Sequence, residues 1–169
     1  MKLDTVNILT QNELQTSFQW EVVLPEVSSD TNANFVSTLI QEVSFSGYNM
    51  DELFKQRLGP AELFSAGNPS IAPVSMSILS SSDGAVLKYF NAWRNRIFDT
   101  ELKYYYCKDN YALPINCLLY NRKNEQKVSF HLINAFPKTF PKHELTYATE
   151  GSFVTFKVEF SVDDIRSSV

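Results

Sequence analysis

Alternation of apolar and polar residues recurs along this chain and predicts a fold built mainly of β-strands. The clearest case is segment 153–162, where four apolar side chains alternate with three polar ones: Val154, Phe156, Val158 and Phe160 against Thr155, Lys157 and Glu159. A period of two residues marks a strand that buries one face. The same pattern predicts longer strands at 18–24, 37–45, 72–79, 113–119 and 128–132, and shorter ones at 102–107 and 144–149.

One segment, residues 83–98, has the helical period instead. Its apolar side chains form a single stripe: Val86, Leu87, Phe90, Trp93 and Ile97. Asp83 and the serines before it supply N-cap candidates, and Arg94 and Arg96 suit the negative end of the helix dipole. With one helix and about seven strands, the chain is predicted to fold as an antiparallel β-barrel or sandwich with the α-helix packed on one side or end.

The length of 169 residues and the composition fit a single domain spanning residues 1–169. No apolar run approaches the 18 or more residues of a membrane span, so we expect neither a membrane anchor nor a signal peptide. Two cysteines, Cys107 and Cys117, and two histidines, His131 and His143, are too few for a disulfide scaffold and do not suggest a metal cluster.

The same residues give no sign of catalysis. Neither His131 nor His143 has a serine or cysteine partner at a recognisable spacing, and the five glycines form neither a dinucleotide-binding nor a phosphate-binding motif. Cys117 lies on the apolar side of its strand and is predicted to be a small buried side chain. We therefore expect no enzymatic activity, no cofactor and no metal ion.

Charge is distributed unevenly along the chain, whose formal net charge is −4. Residues 1–82 hold three cationic and nine acidic side chains, whereas residues 83–169 hold twelve and ten. Such a subunit could attract copies of itself, acidic surface to basic surface, although folding can also mix the two halves on one surface. Three consecutive tyrosines between Lys103 and Lys108 could stack single-stranded nucleic acid, but an acidic chain favours packing as their role.

Residues 46–70 differ from the rest because no single period holds across them, although residues 51–58 could form a short helix. They contain three glycines, two prolines and seven large apolar residues. A long irregular segment of this composition is predicted to project as a loop and to bury its apolar side chains against another copy of the chain. The alternative is that it covers the open end of its own sheet. The expected inter-subunit anchors are Tyr48, Met50, Leu53, Phe54 and Phe64.

The C-terminal third resembles the tail tube proteins of contractile-tailed bacteriophages of the T-even type. The resembling positions are Phe130, 134–137 (Asn-Ala-Phe-Pro), 144–147 (Glu-Leu-Thr-Tyr), Phe153, 156–160 (Phe-Lys-Val-Glu-Phe), Asp163 and Asp164. The order of elements is similar over most of residues 36–164, whereas the residues themselves are similar over about the last forty. Ile165 and Arg166 depart from the family, whose members often end in aromatic residues.

This resemblance implies a structural, non-enzymatic role. Subunits would form hexameric rings whose sheets join into an inner barrel, and the rings would stack into a tail tube through which DNA passes without specific binding. Tail sheath, baseplate and terminator proteins would be partners, in a virion tail that is assembled in the host cytoplasm. A channel for DNA should repel phosphate, and Glu42, on the polar side of its strand, is the residue expected to face the lumen.

Other roles of the same fold stay open at this point. The chain could be a baseplate tube initiator, a tail-terminal ring protein, or the tube of a phage-derived injection machine. A β-barrel that binds a small ligand is the alternative from another class, and it would need a cavity rather than a filled core.

Overall fold

The computed structural model describes residues 19–45, 47–58, 61–141 and 153–168, and for residues 51–58 and 61–68 it describes the backbone alone. Its elements in chain order are β1 (Trp20–Val23), α1 (Ala33–Thr38), β2 (Ile40–Ser44), β3 (Tyr48–Leu58), β4 (Ala61–Ile71), β5 (Val74–Leu79), α2 (Ala85–Ile97), β6 (Phe98–Asp99), β7 (Tyr104–Tyr105), α3 (Lys108–Tyr111), β8 (Leu113–Tyr120), β9 (Gln126–Pro137), β10 (Thr155–Ser161) and β11 (Asp164–Ser168). The mainly β architecture confirms the predicted fold class.

Seven strands form one antiparallel sheet in the order β1–β8–β9–β10–β5–β2, with β11 paired to β9. Strand β9 joins two layers, because residues 129–133 pair with β11 whereas Phe136 and Pro137 pair with β10. Between these parts Asn134 has a φ of 53°, and the register with β8 shifts at the same place. A residue in the left-handed region makes a bulge that bends its strand. The sheet is therefore folded into a sandwich and is not a closed barrel.

The core lies between the two layers and is filled by the apolar sides of the alternating strands. From one layer come Val74, Met76, Ile78, Phe156, Val158 and Phe160, and from the other Val22, Ile115, Cys117 and Leu132. All of these side chains are buried. Cys117 is among them, as predicted, and burial raises the pKa of its thiol to about 11.

Helix α2 closes the sandwich and confirms the helix predicted at 83–98. Val86, Phe90 and Trp93 are fully buried, with the Phe90 and Trp93 rings centred 6.2 and 5.7 Å from that of Phe160. The sequence pattern missed Tyr89, which is also fully buried. Its hydroxyl donates a hydrogen bond to the carbonyl of Pro25 at 2.7 Å. Tyrosine was left out of the apolar stripe because of this hydroxyl, which is satisfied inside the protein.

The strand predicted at 37–45 is wrong in its first three residues. Asn32 caps a short helix, α1, by accepting a hydrogen bond from the backbone N–H of Phe35 at 3.0 Å. The helix buries Val36, and β2 begins only at Ile40. The strand predicted at 102–107 is reduced to Tyr104–Tyr105, and β11 was not predicted from the residue pattern. The short strand predicted at 144–149 lies outside the described residues, as does His143.

The irregular loop predicted at 46–70 is wrong, and so is the short helix within it. Strands β3 and β4 pair there over eleven residues each, from Tyr48 opposite Ile71 to Leu58 opposite Ala61. The register shifts between Met50 and Glu52 and again between Glu52 and Phe54. Each shift inverts the phase of the side-chain alternation, which explains why no single period was visible.

Candidate assembly surfaces

Strands β3 and β4, hereafter the arm, continue a ladder that begins inside the sandwich. β2 pairs with β5 from Ile40 opposite Ile78 to Ser44 opposite Ser75, and the chain then passes from β2 into β3 and from β4 into β5. The arm is thus a separate two-stranded sheet that follows directly on the β2–β5 pair. Its segment forms paired strands rather than a loop.

The base of the arm is tied to β11 by a shared carboxylate. The Tyr48 hydroxyl donates to Asp164 Oδ1, and Arg166 Nε donates to Asp164 Oδ2 at 3.0 Å. The hydrogen bond with Asp164 raises the pKa of Tyr48, and the hydrogen bonds from Tyr48 and Arg166 lower the pKa of Asp164. A cleft of about 300 Å³ lies beside this contact, and Ile71 and Ile165 are among the residues that line it. These contacts fix the base of the arm on the sandwich.

Two of the five predicted anchors have described side chains. Tyr48 and Met50 are both exposed at the base of the arm. Leu53, Phe54 and Phe64 lie on the arm strands, but their side chains are outside what the structure describes. Their contact with another subunit therefore stays a prediction.

A polar sheet face opposite the core carries Glu42, the predicted lumen residue. Glu42 is exposed, and Ser77 Oγ donates to its Oε2 at 3.4 Å. The register continues this row to Lys157 on β10, and the next row joins Ser44, Ser75 and Glu159. The face bears two carboxylates, one ammonium group and small hydroxyls. It is a polar surface whose charged side chains are exposed to solvent.

The two edge strands of the sheet, β1 and β2, border an open groove. Trp20, Val22 and Val23 line one side, Ile40 and Gln41 line the other, and the groove holds about 590 Å³. Within the described residues, β1 pairs with β8 alone and β2 with β5 alone. The groove is open to solvent, whereas the core beside it is filled. This arrangement differs from the enclosed cavity that a small-ligand barrel would need.

The structure gives His131 two partners that the sequence analysis missed. Its Nδ1 lies 2.7 Å from Asn116 Oδ1, and its Nε2 lies 3.2 Å from Ser129 Oγ. Ser129 is two residues along the same strand, so period-two spacing was the signal that could have revealed it, whereas Asn116 faces His131 only through the register of the β8–β9 pairing.

This histidine cluster has the order of a serine, a histidine and an amide, yet its surroundings differ from those of a hydrolase. Ser129 is only 5% exposed. Strands β8 and β11 flank β9 on both sides, so the backbone N–H groups near Ser129 belong to ladders rather than to an oxyanion hole. The arrangement is best explained as a hydrogen-bonded row on a sheet surface.

The residues that the structure describes hold neither a metal-binding cluster nor a membrane-spanning helix. No group of three or more His, Cys, Asp or Glu side chains among them is placed to hold a metal ion. In the same part of the chain, the helices are too short or too polar to cross a membrane. Cys107 is exposed and Cys117 is buried, and neither is in a disulfide.

Comparison with known proteins identifies one family. A family model described as phage tail tube protein matches residues 14–165. Curated protein sequences contain no match to this chain.

Solved structures of the same fold come from contractile injection systems. A chain of the sheath-tube complex of PVC, an extracellular contractile injection system, is 14% identical with a TM-score of 0.63, and the match covers 99% of this chain and 98% of that chain. The PVC sheath/tube terminator is 14% identical with a TM-score of 0.64, covering 94% and 99%. The tube-terminating cap of the anti-feeding prophage is 16% identical with a TM-score of 0.61, covering 95% and 97%. At such identities the likeness shows a shared fold.

Proposed function

Because the chain belongs to the phage tail tube protein family, we propose that it is a structural subunit whose hexameric rings stack into the tail tube of a contractile-tailed bacteriophage. The observation that carries this proposal is the arm. It extends the β2–β5 ladder away from the core and leaves Tyr48 and Met50 exposed at its base. Exposed apolar side chains of this size are typical of surfaces that a partner covers.

Closure of the ring uses the free edge of β2. A strand that pairs on one side only presents unpaired N–H and C=O groups to a neighbour. Among the residues that the structure describes, β2 pairs only with β5, and it is followed along the chain by the arm. Pairing along this edge joins the sheets of neighbouring subunits into one inner barrel, and the arm then docks on the adjacent subunit through Tyr48, Met50, Leu53, Phe54 and Phe64.

The polar face with Glu42 lines the channel. Its carboxylates, Glu42 and Glu159, outnumber its cation, Lys157, and the side chains between them on β5 and β2 are the hydroxyls of Ser44, Ser75 and Ser77. A wall of this kind repels phosphate and offers DNA no cluster of cations to bind. DNA therefore passes through without specific binding, while the sheath, the baseplate and a terminator contact the tube from outside and at its ends. The tube is part of the virion tail and is assembled in the host cytoplasm.

A terminal or baseplate ring is the second candidate, favoured by the similarity to the PVC terminator and to the prophage cap. The two candidates differ in how far assembly proceeds. A tube subunit forms long tubes without other proteins, whereas a terminal ring stops at one or a few layers.

Electron microscopy of the purified protein tests the proposal. The parent chain should form rings and long tubes. Deleting residues 51–64, or changing Phe54 and Phe64 to serine, should leave a folded, soluble subunit that forms no tubes, since the arm's contact with its neighbour is lost. A matched control is Phe35→Ser, which removes an exposed phenylalanine from α1, and it should assemble like the parent.

The behaviour of the arm variants and of the parent chain distinguishes inter-subunit docking, an arm that covers its own domain, and a monomeric ligand carrier. Normal tubes from the arm variants would contradict the docking role of the arm. An unfolded variant, detected by circular dichroism, would show that the arm covers its own domain. A parent chain that stays a monomer of 19.3 kDa at high concentration would refute the tube and favour a ligand carrier.

A further inference from the structure

Strand β1 has one edge that points away from its partner β8. The backbone N–H of Tyr120 donates to the carbonyl of Gln19 at 2.9 Å, and the β1–β8 register continues from there without a shift. In an antiparallel pair, alternate residues point both their N–H and C=O groups to the same side. Trp20 and Val22 therefore direct these groups away from β8.

The four backbone groups of Trp20 and Val22 on this edge have no partner among the residues that the structure describes, where β1 pairs with β8 alone. The next member of the series is already satisfied, because the N–H of Leu24 donates to Ser37 Oγ at 3.0 Å. An edge with unpaired N–H and C=O groups accepts a strand from another chain. β1 is thus a short docking edge.

The groove beside this edge is mainly apolar and negatively charged. Among the described residues that line it, the charged ones are both carboxylates, Glu21 and Glu42. Trp20 and Val22 line it as well, and so does Phe45, which also lines the cleft at the base of the arm. The groove therefore reaches the place where the subunit's own arm begins.

The distal half of the arm offers a strand for such an edge. Within the described part of the chain, β3 and β4 pair only with each other, and a two-stranded ribbon is marginally stable in water on its own. The ten residue steps of β3 measure about 34 Å, so its distal half can reach an adjacent subunit. The carboxylates of β3, Asp51 and Glu52, belong to its first half.

Charge favours β3 over β4 as the strand that meets the acidic groove. Lys55 and Arg57 stand at alternate positions of β3, beyond its last register shift. Within the arm, Arg57 is opposite Glu62 of β4, whereas Lys55 is opposite Phe64. Lys55 is therefore the cation of β3 that has no carboxylate directly opposite it in the arm.

We propose that the distal half of β3 pairs with the open edge of β1 on a neighbouring copy of this chain, with Lys55 opposite Glu21. This contact rests on the proposed function and names the surface that receives the arm. Opposite charges that face each other across two strands stabilise the pairing. Because adjacent residues of a strand face opposite ways, Phe54 then falls on the groove side, with Trp20 and Val22.

The contact leaves the edge of β2 available to join the sheets of neighbouring subunits. Each copy gives one arm and receives one, and the receiving groove ends beside the base of the arm that is given. A contact between two unlike surfaces of the same subunit repeats from copy to copy, as a ring or a stack requires.

Disulfide formation tests the contact in full-length chains that carry Cys107→Ser, which removes the exposed native thiol. Chains with Glu21→Cys and separate chains with Lys55→Cys are assembled together with the parent sequence, whose native contacts sustain the tubes. A mild oxidant should then link the two kinds of chain into dimers, since opposite residues on paired strands lie within disulfide reach. Neither kind alone should dimerise.

The matched control replaces Glu21→Cys by Lys157→Cys. Lys157 is exposed on the polar sheet face. Chains with Lys55→Cys and chains with Lys157→Cys should therefore give no linked dimers in the same assemblies.

A proline on the edge gives a second measurement. Trp20→Pro removes an N–H that points away from β8, so the β1–β8 ladder keeps its hydrogen bonds. Relative to Trp20→Ala, it should raise the protein concentration at which rings and tubes form by about tenfold, because each contact loses one hydrogen bond. The isolated Trp20→Pro subunit should be no less stable to urea than Trp20→Ala.

Tubes that give no dimers between Glu21→Cys and Lys55→Cys chains, or equal assembly of the two Trp20 variants, overturn the contact and leave the tube itself standing. An isolated Trp20→Pro subunit that unfolds at lower urea than Trp20→Ala would show that another segment of the same chain holds this edge, which also overturns the contact. A parent chain that forms neither rings nor tubes refutes the proposed function, and the contact with it.

Discussion

Trp93 joins three parts of the molecule through one side chain. Its ring lies 5.7 Å from that of Phe160 on β10 and 5.8 Å from that of Tyr89, and its Nε1 donates to the carbonyl of Tyr111 at 2.8 Å. It is fully buried. The helix, the β10 layer and the start of β8 are therefore positioned by the same residue.

Replacing Trp93 with alanine is expected to lower the free energy of unfolding by about 3–5 kcal/mol, because it leaves a large cavity and an unpaired carbonyl. Urea unfolding of the monomeric subunit measures the change. Leu87→Ala, a half-buried position on the same helix, is the matched control and should cost less. A Trp93→Ala protein that unfolds like the parent would show that α2 is peripheral to the core.

Single residues also show where sequence patterns stop being informative. Val86, Phe90 and Trp93 were identifiable because apolar residues repeat along one helical stripe. Tyr89 was not, since a phenol counts as polar until a partner such as the Pro25 carbonyl is known. The partners of His131 follow from strand register, which a sequence does not specify across a turn of uncertain length.

Elements with an uninterrupted period were predictable and those with a change of phase were not. β5, α2, β8 and β10 appear close to where the sequence places them. The residue pattern of the arm predicts a loop because the register shifts twice within five residues. The bend of β9 has the same cause, since the left-handed residue Asn134 sits between its two pairing partners.

Asn134→Val is expected to destabilise the subunit by about 1–2 kcal/mol more than Asn134→Gly does, because a β-branched residue does not tolerate the left-handed region. Both variants remove the hydrogen bond from Asn134 Nδ2 to Asp163 at 3.0 Å, so their difference isolates the backbone effect. Thermal or urea unfolding of the two variants gives this difference. Equal stabilities would mean that the bulge can move or be removed without cost.

At the scale of the whole molecule, the uneven charge of the chain is partly redistributed by folding. The acidic first half contributes Glu42 to the polar face, but the second half contributes Glu159 and Lys157 to the same face. The sequence therefore indicated the sign of this surface but not its composition.

The orientation of the polar face within the tube gives the last prediction. Glu42 lies on one side of the β10–β5–β2 layer, whereas α2 contacts Phe160 on the other side. If the polar face lines the channel, Glu42→Cys in a Cys107→Ser chain should react with a small maleimide in assembled tubes but not with one attached to a large protein. In disassembled subunits both reagents should react, since Glu42 is exposed there.

Lys88→Cys is the matched control for this labelling, because Lys88 is exposed on α2. In tubes free of sheath it should react with both reagents, as expected for the outer wall. Rapid labelling of Glu42→Cys by the large reagent in intact tubes would show that the polar face lies on the outside. If Lys88→Cys were then protected from the large reagent, α2 would face the channel. In that case the lumen would be lined by Lys88 and Arg94, and a cationic wall would bind the phosphates of DNA instead of letting them pass.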